Sequence, residues 1–238
     1  MLSWLYPGTC ELCGEEAEMT ICPECLRNLP RIPAPVCLHC GAPTAGQQTE
    51  PDRCGECTGQ PRSFVLARQL LRQTEETMRL IYAFKYHGAL HLARPLAYLL
   101  QELWEKTPHL LSRNDWVLVP VPVTHARLHT RGYNQAGELA QQLARLRGLR
   151  VENLLIRRDT GVLSQTRLTA HARRLNAMRA YRLKPPGLFS RRRTYPPYLV
   201  LVDDVFTTGA TARACATQLK KLPGVKAVVV ISLVRIGS

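Results

Sequence analysis

Residues Val200-Leu201-Val202-Asp203-Asp204-Val205-Phe206-Thr207-Thr208-Gly209-Ala210-Thr211 decide the fold. The run Tyr198 to Val202 is apolar throughout and reads as a buried strand. Two adjacent carboxylates follow it, then a Thr/Gly loop that opens a helix over Thr211 to Leu222. A strand with no polar face belongs in a parallel sheet covered on both sides. In such sheets ligands bind beyond the C-terminal strand ends. Backbone N–H groups and hydroxyls at a helix N-terminus suit a phosphate. Two Asp suit sugar hydroxyls, or a hard cation such as Mg²⁺ bridging hydroxyls and pyrophosphate. The plainer alternative is a strand end with an N-cap cluster.

Outward from this stretch, strands and helices alternate. Phe64 to Leu71, Trp116 to Val119, Leu154 to Arg157, Ala180 to Leu183 and Val225 to Val234 read as strands. Thr74 to Tyr86, Leu90 to Trp104 (interrupted early by Pro95), Ala136 to Leu146 and Leu168 to Met178 read as helices. Lys184 to Pro197, with four Pro and the Arg191-Arg192-Arg193 run, reads as loop. The alternation implies an α/β domain with a parallel sheet flanked by helices.

The 238 residues are 45% hydrophobic and 21% charged, which excludes whole-chain disorder. No run of eighteen apolar residues occurs, and Met1 to Cys10 does not resemble a signal peptide, so a cytoplasmic protein is expected. The formal charge is +14, and it is segregated. Residues 1–60 carry three Arg against eight acidic side chains; residues 120–198 carry sixteen basic against three acidic, fifteen of the sixteen being Arg. Arg presents a planar fork suited to phosphate and also stacks on bases. A polyanion partner follows, nucleic acid or another polyphosphate, with an Arg-rich solvated surface as the plain alternative.

Eight of the nine cysteines form four Cys-x-x-Cys pairs: Cys10/Cys13, Cys22/Cys25, Cys37/Cys40 and Cys54/Cys57. Each pair is a knuckle whose two sulfurs can reach one tetrahedral ion, so eight cysteines imply two closed structural Zn²⁺ sites. A disulfide framework needs an oxidising compartment, and four copies exceed what redox chemistry requires. Sequential pairing is the simplest, and spacing alone leaves a cross-braced one open. The segment has few large apolar residues, so the metal supplies folding energy. Residues 1–60 are expected to form this module and residues 61–238 the α/β domain. Cys215 stands apart and reads as a small buried hydrophobe.

The stretch 200–211 resembles the phosphoribosyl pyrophosphate (PRPP) motif of type I phosphoribosyltransferases. A second segment, Pro120-Val121-Pro122, then Arg127 and Arg131-Gly132-Tyr133-Asn134-Gln135, narrows the resemblance. Together with the cysteine module it resembles the ComF family, competence-associated, phosphoribosyltransferase-like proteins with an N-terminal double zinc ribbon. Lys85-Tyr86-His87-Gly88, Arg157 to Thr160, Ser164 to Thr166, Arg173 to Asn176 and Ala180-Tyr181 extend it over essentially the whole chain. Gly161-Val162-Leu163 departs from it, where relatives usually have one residue.

The resemblance implies that Asp203 and Asp204 meet the ribose hydroxyls and form the catalytic pair. It implies that Thr207, Thr208, Gly209, Ala210 and Thr211 cradle the 5′-phosphate, with Arg131 as a further PRPP contact and Mg²⁺ entering with PRPP. Arg127, Arg131, Arg173, Arg174, Arg191, Arg192 and Arg193 are the candidate nucleic-acid residues. Arg131 and Asn134 could instead cap the helix that follows, Lys85 could be a surface lysine, and Tyr133 could stack on bases or pack. The expected function is natural transformation: binding single-stranded DNA in the cytoplasm beside a PRPP-type pocket, with a competence helicase and recombination mediators as partners. A Mg-dependent phosphoribosyltransferase and a PRPP-sensing regulator are the competing readings.

Overall fold

The computed structural model describes residues 8–44, 54–86, 88–158, 180–185 and 195–237. In chain order its elements are α1 (Pro23–Asn28), β1 (Ala67–Arg72), α2 (Glu75–Tyr86), α3 (Ala93–Glu105), α4 (Pro108–Leu111), β2 (Val117–Pro120), α5 (His125–Arg131), α6 (Gln135–Arg147), β3 (Arg150–Val151), β4 (Leu155–Arg157), β5 (Tyr181–Leu183), β6 (Tyr198–Phe206), α7 (Ala210–Leu219) and β7 (Ala227–Arg235). Five strands form one parallel sheet in the order β1-β7-β6-β2-β3. Strands β4 and β5 pair antiparallel as a separate ribbon.

The central strands are apolar on both faces because both faces are covered. Leu118, Val200, Val202, Val229 and Ile231 pack with α2, α3 and α6 in one core cluster. Their alternates Val117, Val119, Leu199, Leu201, Val228 and Val230 pack with α7 and the β4–β5 ribbon in the other. Period-two alternation thus divides one set of strands between two cores.

After β2 the chain runs through α5 and α6 to β3, on one side; after β6 it runs through α7 to β7, on the other. Strands β2 and β6 are neighbours, in register from Val117 opposite Leu199 to Pro120 opposite Val202. Their connections therefore diverge, and the C-terminal ends of β2 and β6 form the topological switch point where α/β sheets open a crevice.

Two local expectations are revised, and one segment not assigned from the sequence is helical. Strand β6 runs past Val202 to Phe206, so both carboxylates lie within the strand. Pro95 does not interrupt a helix: the chain makes a 3₁₀ turn over Leu90–Leu92 and α3 starts at Ala93, which puts Pro95 in the first turn, where its missing N–H costs nothing. The segment bearing Arg127 and Arg131 is a short helix, begun by Thr124, whose hydroxyl accepts from the Arg127 N–H at 3.2 Å. The expected helix over Leu168 to Met178 lies outside the described residues.

The cysteine-rich segment packs against the sheet. Ile32 N–H donates to Leu70 O at 2.9 Å and Arg72 N–H to Pro30 O at 3.0 Å, an antiparallel rung on the outer edge of β1. Ile21 and Leu29 are buried in the same core cluster as Leu80 and Phe84. Arg31 donates to the carbonyls of Leu26 and Leu29 and reaches Glu102 of α3 at 2.9 Å.

Candidate functional site

Two clusters of four cysteines are present. Cys10, Cys13, Cys22 and Cys25 form one, and Cys37, Cys40, Cys54 and Cys57 the other; within each, the sulfurs lie within 4.8 Å of one another. Four thiolates at about 2.3 Å from one Zn²⁺ stand about 3.8 Å apart at the edges of a tetrahedron. Across knuckles, Cys13 Sγ lies 4.0 Å from Cys22 Sγ and Cys40 Sγ 3.6 Å from Cys54 Sγ, so the donor sets fit two zinc ions. The pairing is sequential, which resolves the alternative left open by spacing. Backbone N–H groups support the sulfurs: Cys22 N–H donates to Cys10 Sγ and Cys54 N–H to Cys37 Sγ, each at 3.3 Å. Gly41, at φ 75°, closes a knuckle against β1; a Cβ there would lie 2.8 Å from Ala67 O.

The second cluster is tied to the sheet by Arg235, at the end of β7. Arg235 is buried; its guanidinium donates to Cys40 O at 3.2 Å and to Glu56 Oε2 at 2.6 Å, and lies 5.3 Å from the Phe206 ring centroid. Nothing in the sequence marked this residue, which ends a run that reads as an ordinary strand.

At the switch point, Asp203 and Asp204 stand near the end of β6. Asp204 is only 7% exposed. Lys85, on the last turn of α2, brings its Nζ within 2.7 Å of Asp204 Oδ2. Lys85 is therefore no plain surface lysine: it supplies the cation that the buried Asp204 carboxylate requires. Asp203 Oδ1 accepts from the Asp204 N–H at 2.9 Å. Burial, together with the charge of Asp204, pushes the Asp203 carboxyl well above the usual carboxylate range, with Lys85 opposing.

The loop after β6 leads into α7 through Gly209, whose φ is 71°. A Cβ at Gly209 would lie 2.6 Å from Phe206 Cζ, so only glycine fits this turn. Thr207 and Thr208 are exposed, Ala210 and Thr211 half-buried. Arg213, one turn into α7, donates to Thr208 O. Beneath the loop, Tyr181 of β5 is buried, and burial pushes its phenol up to about 12. Cys215 is fully buried on α7, as its isolation in the sequence suggested.

On the β2 side, neither Arg131 nor Asn134 caps α6 with its side chain. Asn134 Nδ2 instead donates to Val121 O at 3.0 Å, holding the connection to the end of β2. Arg131 donates to Gln135 Oε1 at 3.0 Å, and its guanidinium carbon lies 4.7 Å from the Tyr86 ring centroid. Tyr133 packs: its hydroxyl donates to Phe84 O and its ring tilts against Phe84 at 5.9 Å. Arg127 is exposed on α5. The structure thus brings Lys85 to Asp204 beside Asp203, just before the loop 207–211, and sets Arg131 against Tyr86, the neighbour of Lys85 in α2. Arg173, Arg174, Arg191, Arg192, Arg193 and the departure at Gly161 to Leu163 lie outside the described residues. Two surface grooves, of about 410 and 360 Å³, lie against the zinc-ribbon segment and do not reach the carboxylates.

A five-stranded parallel α/β sheet carrying two clusters of four cysteines on its N-terminal side defines an α/β protein with a double zinc ribbon, and the double zinc ribbon domain family matches residues 1–58. The whole chain belongs to the ComF/ComFC/YhgH family. It is similar to Competence protein F of Haemophilus influenzae, 33% identical over 222 residues that make up 92% of each chain. It is similar also to the DNA utilization protein YhgH of Salmonella typhi, at 32% identity over 90% of this chain and 91% of that one. Competence protein ComFC of Bacillus subtilis is more distant, at 25% identity over 84% of this chain and 77% of that protein. Among the described residues no helix is long and apolar enough to cross a membrane.

Proposed function

We propose that this protein binds single-stranded DNA in the cytoplasm during competence or DNA utilization, and that the β2–β6 crevice is a pocket for PRPP with Mg²⁺. The observation that carries the pocket is the pair Asp203 and Asp204, with Lys85 2.7 Å from Asp204, directly before a glycine-opened helix at the switch point. In this reading the two carboxylates take the ribose hydroxyls, residues 207–211 take the 5′-phosphate, and Arg131 takes part of the pyrophosphate charge. Mg²⁺ accompanies the pyrophosphate, as a hard cation that prefers phosphate and carboxylate oxygens. A DNA partner is supported by the names of the relatives and by the basic excess of residues 120–198, which includes Arg127 and Arg131; its single-stranded form is what the family resemblance implies. The working division is a zinc-ribbon unit over residues 1–60 and a ligand-binding unit over 61–238, with helicases and recombination mediators as the class of protein partner.

Calorimetric titration with PRPP and Mg²⁺ tests the pocket: the wild type gives saturable heat, and Asp204→Asn removes it. Equal heats from the two proteins would refute the assignment. Single-stranded DNA affinity is then measured at rising salt, with and without PRPP–Mg²⁺. Affinity falls steeply with salt if the contacts are to phosphates. A flat salt response, or no binding, removes the DNA reading.

A further inference from the structure

Helix α2 has two faces. Thr77, Leu80, Ile81 and Phe84 are buried, and Thr74 and Thr77 brace its start, Thr77 Oγ1 accepting from the Thr74 N–H at 2.8 Å. On the outer face stand two large aromatics that the core does not use: Tyr82 is 52% and Tyr86 62% exposed. They sit one turn apart, ring centroids 6.2 Å from each other and tilted by 33°. Beyond Tyr86 comes the guanidinium of Arg131, 4.7 Å over the ring, carried by α5 from the other side of the crevice. Three flat groups are therefore in succession, Tyr82 beside Tyr86 and Tyr86 beneath Arg131, linking the surface of α2 to the end of α5. Lys85, between the tyrosines in sequence, is turned inward to Asp204, so the outward charge of this row is that of Arg131.

We propose that Tyr82, Tyr86 and Arg131 form a base-stacking platform for single-stranded DNA, leading the strand past the mouth of the crevice. The proposal rests on the single-stranded DNA reading given above. Exposed aromatic rings interleaved with arginine bind single strands without regard to sequence, because every base offers a π-face. Arginine adds a second flat surface and a charge for the flanking phosphate. A protein partner is the less favoured occupant: the row ends in a cation, and Arg127 stands exposed on the same short helix as Arg131.

The test compares a labelled oligothymidylate with an abasic oligonucleotide of the same length, by fluorescence anisotropy on the full zinc-loaded chain. The wild type prefers the oligothymidylate by about tenfold for each base stacked. Tyr86→Ala lowers that preference by about tenfold and Tyr86→Phe keeps it, while binding of the abasic strand is unchanged in both. Because tyrosines neutralise no phosphate, the salt dependence is the same in Tyr86→Ala as in the wild type. Oligonucleotides carrying 5-iodouracil should photocrosslink to the α2 peptide. A wild type that binds both strands equally, or a Tyr82→Ala/Tyr86→Ala protein that keeps the preference, overturns the platform and leaves DNA binding standing. Failure of the wild type to bind either strand overturns the platform together with the reading beneath it.

Discussion

Among the described residues, Asp203 and Asp204 share one ammonium, that of Lys85, and much of the chemistry proposed for them turns on that inequality. Asp203 is held well above the usual carboxylate range by burial and by its neighbour, so the folded protein holds a proton there that the unfolded chain releases. Its contribution to stability is thus lost as pH rises from the ordinary carboxylate value through the raised one. Asp203→Asn removes this titration and should raise Tm by about 2–4 °C at neutral pH. That gain should shrink as pH is lowered toward about 4; a lower Tm at neutral pH would show that the carboxylate is not strained by its surroundings. A double-mutant cycle between Lys85→Met and Asp204→Asn, read by urea denaturation, should give a coupling of about 1–3 kcal/mol. A coupling near zero would mean that the 2.7 Å approach contributes nothing. The carboxylates were legible in the sequence because they follow an apolar strand. The role of Lys85 was not: the two ends of the ion pair are far apart in the chain, and on α2 alone a lysine in the last turn reads as helix-dipole decoration. Tyr82 and Tyr86 were hidden for the same reason, since the helical pattern that places Ile81 inside does not say which aromatics stay outside.

At the scale of elements, the β6–loop–α7 unit is governed by one residue. Gly209 is left-handed and its Cβ position is filled by Phe206. Gly132, which ends α5, is left-handed too, at φ 79°, but has nothing within 4 Å of its Cβ position. Gly132→Ala should therefore cost about 1–2 kcal/mol, the conformational penalty alone. Gly209→Ala should cost clearly more, because Phe206 must move as well, and should also abolish the PRPP–Mg²⁺ heat. Equal losses in denaturation would show that the loop yields freely. The strand–loop–helix unit was readable from its apolar run and its Thr/Gly punctuation. Helix α5 was not, because none of its residues is buried and its pattern has no apolar stripe to detect. Pro95 misled for a related reason: a proline marks the start of a helix as often as a break, and only the turn at Leu90–Leu92 shows which.

In the whole molecule the zinc ribbon is part of the folded body. The four cysteines of the second cluster are all buried, packed with Phe64 and Ala67 and linked through Arg235 to Phe206, whose ring fills the space above Gly209. In the first cluster, Cys13 is exposed. Cys37→Ser should lower Tm by more than about 5 °C, and Cys13→Ser by less; zinc content measured on the same samples separates metal loss from packing. The reverse order would place the structural weight on the first ribbon. In the sequence, Arg235, Ile21 and Leu29 gave no sign of their part in this packing. Each looks ordinary in its own segment and is buried only because a distant segment covers it. The rung between Pro30–Ile32 and Leu70–Arg72 has a consequence for proteostasis. Strand β1 lies at the end of the sheet, and its outer backbone groups would be a template for pairing with another chain if left bare. The ribbon acts as a guard on that edge, and its metal is what keeps the guard in place. Zinc scarcity should thus reveal itself first as self-association: light scattering that rises on addition of a chelator before any loss of helical signal.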